Sequence, residues 1–362
     1  MRGVGFTSYG GPEVLGVVDL PDLEPGDAEI RVRVAAATVN PADTLFRSGG
    51  LAAVVTGEPP YVAGLELAGT VDAVGPGAHW RPGDRVAAMT RFIPDGRGAH
   101  AELVVVHEES AAAIPNGMGM VEAATIPMNG LTVRLALDRL ALAPGDSVAI
   151  SGGAGAVGGY ATQMAAAEGL RVIAVASPAD EELVRGLGAE AFVPRGPEAA
   201  AGIRELVAAG ADGLIDAANV GGALLPAVRD GGRVVAVRPF DGEPVRGITV
   251  ELISVRTYLR EPVKLRSLME LAGAGGLTTR VAATYPLSQA AAAHRRLDAG
   301  GVRGRLVLEL DGPRACSAGS ASSSSAPARS APSTGRRSHG PGSRCSYLHA
   351  SSTPARSRPA GS

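Results

Sequence analysis

Cysteine is almost missing from this chain: of 362 residues, only Cys316 and Cys345 are cysteines, and both lie near the end. Everything before them is therefore closed to a disulfide framework and to a thiolate-based structural zinc site. Long apolar runs are also missing. No stretch approaches the roughly twenty consecutive apolar residues that cross a bilayer, which excludes a membrane-spanning helix. The segment Met1–Thr7 lacks the apolar core of a signal peptide, so a cytoplasmic protein is expected. Acidic residues stop at Asp311, whereas Arg314, Arg329, Arg336, Arg337, Arg344, Arg356 and Arg358 follow it. The 36 acidic and 34 basic residues thus leave a net −9 up to Asp311 and +7 beyond it. An acidic body does not bind nucleic acid by bulk charge.

What is present suffices for two cores: 45% of the residues are apolar. Residues 1–125 carry strand signals. Ile30, Val32 and Val34 alternate with Arg31 and Arg33, the period of a half-buried strand, and similar runs follow at 69–74 and 101–106. Turn residues separate them (Pro25-Gly26-Asp27, Pro76-Gly77, Pro82-Gly83-Asp84), which predicts an all-β region. Residues 126–257 alternate strands at 147–151, 171–176, 213–217 and 233–237 with helices such as 156–168 and 197–209. That alternation predicts βαβ units on a doubly wound parallel sheet, an α/β fold. Residues 258–312 predict two helices and two strands, too few to stand alone. From 313 to 362 the chain is Ser, Ala, Pro, Gly and Arg, which predicts disorder. A read-through end of a coding sequence would have this composition, and so would a basic arm for an anionic partner.

The most informative stretch is Val148–Gly159. An apolar strand runs into glycines and a helix follows, with Gly153, Gly155 and Gly158 fitting G-x-G-x-x-G around Ala154, Ala156 and Val157. Such a loop places pyrophosphate against backbone N–H groups at a helix N-terminus; Gly153 is assigned the tight turn. The second strand ends in Ser177, where an NAD site usually has an acidic residue for the ribose 2′-hydroxyl. Ser177 leaves room for a 2′-phosphate, and Arg195 can add charge, so NADPH is expected. Asp180, Glu181 and Glu182 argue the other way unless they serve a helix start.

Further motifs resemble the medium-chain dehydrogenase/reductase superfamily over residues 1–311, in its zinc-free quinone oxidoreductase branch. They are Val39-Asn40-Pro41-Ala42-Asp43 with Arg47-Ser48-Gly49, Gly64-Leu65-Glu66-Leu67-Ala68-Gly69-Thr70-Val71, Gly130-Leu131-Thr132 and Val302-Arg303-Gly304-Arg305-Leu306-Val307. The resemblance implies a GroES-like catalytic domain (1–125, completed by 258–312), a Rossmann domain (126–257) and a homodimer. Zinc members need a cysteine near Asn40 and a histidine at Leu65, so zinc is not expected; the six histidines show no ligand spacing. It further implies Asn40 beside the nicotinamide as hydrogen-bond donor to the reduced oxygen, and Thr132 as a cofactor contact. Asn40 reads equally as a turn residue before Pro41, Asp43 and Arg47 as a structural ion pair, and Tyr61 as a cleft or a packing residue. The implied reaction is hydride transfer from NADPH to a quinone or α,β-unsaturated carbonyl. Enoyl-thioester reduction on CoA or a carrier protein is the enzymatic alternative, and non-catalytic NADPH binding the other.

Overall fold

The computed structural model describes residues 1–310, and the polar tail lies outside them. The chain starts with β1 (Arg2–Phe6), β2 (Gly16–Asp19) and the long β3 (Glu29–Val39). Ile30, Val32 and Val34 of β3 are buried and Arg33 is exposed, as their alternation requires. After β3 come α1 (Pro41–Arg47), β4 (Tyr61–Val62), β5 (Glu66–Val74), β6 (Arg85–Met89), β7 (Leu103–His107) and β8 (Ala111–Ala113). Helix α1 corrects the all-β expectation. Pro41 presets helical φ at its first position, and the Asp43 carboxylate accepts the Asn40 N–H at 2.7 Å, so the turn there continues into a helix.

Next come α2 (Met120–Ala123), α3 (Pro127–Leu140), β9 (Ser147–Ser151), α4 (Ala156–Ala167), β10 (Arg171–Ala176), α5 (Glu181–Gly186), β11 (Ala191–Pro194), α6 (Ala199–Leu206), β12 (Ala211–Asp216), β13 (Val228–Ala236) and β14 (Thr249–Leu252). The strands form one parallel sheet in the order β11-β10-β9-β12-β13-β14. β9 is buried throughout and β10 apart from Arg171, as expected when helices cover both faces of a parallel sheet. β12 and β13 start earlier than their apolar runs, because Ala211 pairs with Val228 across an irregularity before the regular ladder begins.

The last described elements are α7 (Pro262–Gly273), β15 (Val281–Pro286), α8 (Ala290–Asp298) and β16 (Arg305–Glu309). β16 pairs antiparallel with β3 from Leu306↔Val39 to Glu309↔Ala36, and β15 runs parallel to β16. The closing segment therefore finishes the sheet of the first region, which buries most of β16. Leu265, Leu268 and Met269 of α7 are buried and belong to the same core as Leu131 and Leu135 of α3.

Helix α8 buries His294 completely, its ring centroid 6.0 Å from that of His100 and its Nδ1 3.5 Å from Arg47 Nη1. Burial first, then the electrostatic influence of the neighbouring His100 and Arg47, push this imidazole down to about 2. The unfolded chain binds a proton at His294 near pH 6.5 and the folded one does not, so stability falls as pH drops below 6.5. The expected loss is about 2 kcal/mol between pH 6.5 and 5, at about 1.4 kcal/mol per pH unit. Urea unfolding of the wild type and His294→Leu at pH 7.5 and 5 measures it. The carboxylates common to both proteins cancel in the comparison, and equal pH slopes would refute the assignment.

Candidate functional site

The end of β3 lies between β5 and β16, and there the three regions of the chain meet. Thr38, Asn40 and Glu66 are fully buried and Arg305 is 5% exposed. Arg305 donates to Glu66 Oε1, to Thr38 Oγ1 (2.6 Å) and to Asn40 Oδ1 (2.8 Å). Thr38 donates to Glu66 Oε1 at 2.5 Å, and the Met128 N–H, at the start of α3, donates to Glu66 Oε2 at 2.7 Å. Glu66 thus joins β3, β5, β16 and a helix N-terminus, where negative charge is favoured. The Asn40 amide is held on both sides: Oδ1 by Arg305, Nδ2 by Thr38 Oγ1 at 3.1 Å, with Glu66 at 3.5 Å. Asn40 is therefore the buried cap of α1 and a member of a polar network at once.

Asn40 and Leu65 are not zinc ligands, Glu66 is already engaged, and among the described residues no group of three or more His, Cys, Asp or Glu is placed to hold a metal. The Asp43–Arg47 pair does not form. Asp43 accepts the N–H groups of Asn40 (2.7 Å) and Gly64 (2.9 Å), and burial pushes its carboxyl above the usual range. Arg47 reaches instead to Asp298 at 2.9 Å and to the Gly10 carbonyl, because α8 packs on that face of α1. Tyr61 is a packing residue, stacked on Tyr9 (centroids 5.6 Å apart) within a cluster that includes Phe6 and Phe46.

The glycine-rich loop follows β9 at the point where strand order reverses between β9 and β12, the place where open α/β sheets have their crevice. The left-handed residue of the turn is Gly152 (φ +64°), one position before the Gly153 expected from the motif. Gly153 is needed for a different reason: a Cβ there would lie 2.9 Å from that of Ala174 on β10. Gly158 lies against the loop itself, where a Cβ would overlap the Gly152 carbonyl oxygen. The N–H groups of Gly153 and Gly155 are engaged by Val175 (3.1 Å) and Gly152 (2.8 Å). Those of Ala156, Val157 and Gly158 open α4 without a backbone acceptor, as the first turn of a helix must. Three donors on a half-buried helix start suit a pyrophosphate. Across the crevice the buried Asp216 accepts from Ser151 Oγ (2.6 Å) and from the N–H groups of Val220 and Gly221, fixing the loop after β12.

Ser177 and Arg195 lead off neighbouring strands side by side: Ala176 pairs with Pro194, and the Arg195 N–H donates to the Ala176 carbonyl at 2.7 Å. Ser177 is half-buried and Arg195 exposed, so both side chains are accessible at the end of β10. Thr132 lies on α3, 7% exposed, its hydroxyl donating to Met128 O of its own helix at 2.7 Å, which leaves oxygen lone pairs but no donor for a ligand. Several residues carried no sequence signal of their own. Arg280 donates to the carbonyls of Ala154 (3.0 Å) and Gly155 (2.6 Å), bracing the loop from the closing segment. Tyr160 on α4 contacts Thr125 at 3.0 Å, and burial raises its phenol to about 12, so it is protonated at neutral pH. A cavity of about 380 Å³ lies elsewhere, in the β-rich region among Leu20, Met89, Thr90, Arg97 and Val104. It touches neither the glycine loop nor Asn40.

A family model described as alcohol dehydrogenase GroES-like domain matches residues 26–116, and one described as zinc-binding dehydrogenase matches residues 187–308. A quinone oxidoreductase of Pseudomonas aeruginosa is 32% identical over 327 residues, covering 84% of this chain and 98% of that one. A trans-enoyl reductase of Pyrenochaetopsis is 36% identical over 219 residues, 54% of this chain and 57% of that one. Among solved structures, a mycobacterial protein complexed with NADPH superposes with TM-score 0.74 at 29% identity, covering 85% of this chain and 99% of that one.

Proposed function

This chain belongs to the quinone oxidoreductase family of the medium-chain dehydrogenase/reductases, and from that we propose that it is an NADPH-dependent, zinc-independent reductase of quinones or α,β-unsaturated carbonyls. The observation that carries this reading is the glycine loop at the reversal of strand order, with three free N–H groups on α4 and Ser177 beside Arg195 at the end of the next strand. Gly153, Ala154, Gly155, Ala156, Val157 and Gly158 hold the pyrophosphate, Ser177 and Arg195 the 2′-phosphate, and Thr132 contacts the cofactor from α3. Bound there, NADPH supplies a hydride. With no zinc ligands at Asn40 and Leu65, the acceptor must spread the incoming negative charge over its own conjugated oxygen. Asn40 is the residue we assign as donor to the reduced oxygen: Arg305 fixes its carbonyl and Nδ2 keeps one N–H with only a long contact, but the side chain is fully buried, so this donation requires the network around it to open toward the bound substrate.

Initial rates of NADPH and NADH oxidation with a small quinone and a chelator test the reading. Expected are quinone-dependent turnover, a preference for NADPH, no effect of the chelator, and a roughly tenfold lower kcat in Asn40→Ala, the worth of one hydrogen bond. Chelator-sensitive turnover would overturn the metal-free assignment. An enoyl-thioester acceptor is the second reading, favoured by the match to a trans-enoyl reductase; crotonyl-CoA reduced faster than the quinone would establish it. We also assign a cytoplasmic homodimer, joined through the sheet edge at β14. That edge strand pairs only with β13 among the described residues and exposes Leu252 (56%), with Val245 (48%) nearby in sequence. Sedimentation of Leu252→Glu as a monomer, against a wild-type dimer, is the expected result, and cell fractionation reads the location.

A further inference from the structure

We infer that Arg303, held in place by Asp180, grips the cofactor's 2′-phosphate, so that the closing segment of the chain sets the choice between NADPH and NADH. The inference rests on the nucleotide site proposed above and adds a residue from outside the Rossmann region to it. Asp180 lies three residues beyond Ser177, and its N–H donates to the Ser177 carbonyl at 2.8 Å, so one short turn places the carboxylate beside the end of β10. An acidic side chain at the end of this strand ordinarily takes the ribose 2′-hydroxyl and repels a 2′-phosphate. Here it is already engaged. Arg303, two residues before β16, meets it with Nε donating to Oδ1 at 2.8 Å and Nη2 in ion-pair contact with Oδ2 at 2.7 Å, the latter without hydrogen-bond geometry. The pair is asymmetric in exposure, with side chains 37% exposed for Arg303 and 11% for Asp180.

A guanidinium carries five N–H donors in a rigid fork. With one edge fastened to Asp180, its remaining edge, including Nη1, is free to bond a phosphate oxygen, and its orientation is already fixed. Arg195 and Arg280 also act on Asp180, adding to Arg303 in holding the carboxyl below its usual range. The ion pair with Arg303, with Arg195 and Arg280 acting at longer range, thus compensates the Asp180 charge, so that it does not repel a 2′-phosphate. Asp180 is in this view a positioning residue, and Arg303 the specificity determinant.

Calorimetric titration of the full chain with adenosine 2′,5′-bisphosphate and with 5′-AMP tests this without turnover. Arg303→Ala is expected to weaken the bisphosphate by roughly ten- to hundredfold, as loss of a charged hydrogen bond does, while 5′-AMP binding stays the same. Arg303→Lys should recover part of the loss, since it keeps the charge and loses the fork. The combined variant Asp180→Ala/Arg303→Ala decides between gripping and mere masking of the carboxylate. Binding that stays weak supports the grip; return to wild-type affinity shows that Arg303 only silenced Asp180 and overturns it. Equal weakening of both ligands in Arg303→Ala also overturns it. Wild-type protein that binds both ligands alike would instead refute the NADPH reading on which the inference stands.

Discussion

Gly158→Ala is expected to lower kcat/KM for NADPH by about a hundredfold while leaving the protein folded, and NADPH binding followed by fluorescence should weaken in parallel. The added Cβ would overlap the carbonyl oxygen of Gly152 and lie 2.7 Å from its carbon and 3.0 Å from the Gly153 Cα. All three are backbone atoms, so no side chain can swing aside. Helix α4 must instead draw back from the loop, and its free N–H groups move with it. A shift of about 1 Å at a positioning group costs on the order of a hundredfold. Gly186→Ala is the matched control. Nothing lies within 4 Å of a Cβ there, and the residue is helical, so stability should hold or rise by up to about 1 kcal/mol. Equal behaviour of the two variants would show that the loop tolerates displacement and that its N–H groups do not bind the cofactor.

The second large effect is expected at the junction of the three regions. Arg305→Met should destabilise the protein by about 3–5 kcal/mol, because it removes the cation from the fully buried Glu66 and breaks a buried ion pair on one side only. Replacing both partners, as Glu66→Leu with Arg305→Met, should recover much of that loss, since two apolar side chains no longer carry a desolvated charge. Thr38 and the Met128 N–H would still lose an acceptor, so recovery is expected to be incomplete. Urea unfolding of the three proteins at pH 7.5 measures this. A single variant within about 1 kcal/mol of wild type would mean that the remaining hydrogen bonds alone hold Glu66, and that the ion pair contributes little.

Much of this arrangement can be read along the chain, because it depends on local periodicity. The runs at 147–151 and 171–176 became β9 and β10 with the same bounds, and the helix between them differs by one residue at its end. Strand, glycine turn and helix follow each other directly in sequence, so the loop's location needs no tertiary knowledge. Small differences arose where local signals compete. Pro41 and Asp43 start a helix inside a strand-rich region, and the left-handed turn residue is Gly152 because adjacent glycines offer the same freedom at either position.

The residues that brace the site were hidden for a physical reason. Glu66 and Arg305 are 239 positions apart, Asp180 and Arg303 123 apart, and Arg280 and Gly155 125 apart. An arginine in a sequence has no visible partner until the chain closes, and Arg47 shows the consequence: its nearest acid in sequence, Asp43, turned to backbone N–H groups, while Asp298 came to it from α8. The βαβ elements, the glycine loop and the absence of zinc ligands at Asn40 and Leu65 are properties of residues and their spacing, and the sequence alone decides them. Which charges face each other at the end of β10, and which carboxylate is buried against which arginine, depend on β16 pairing with β3, a contact that only the folded chain makes.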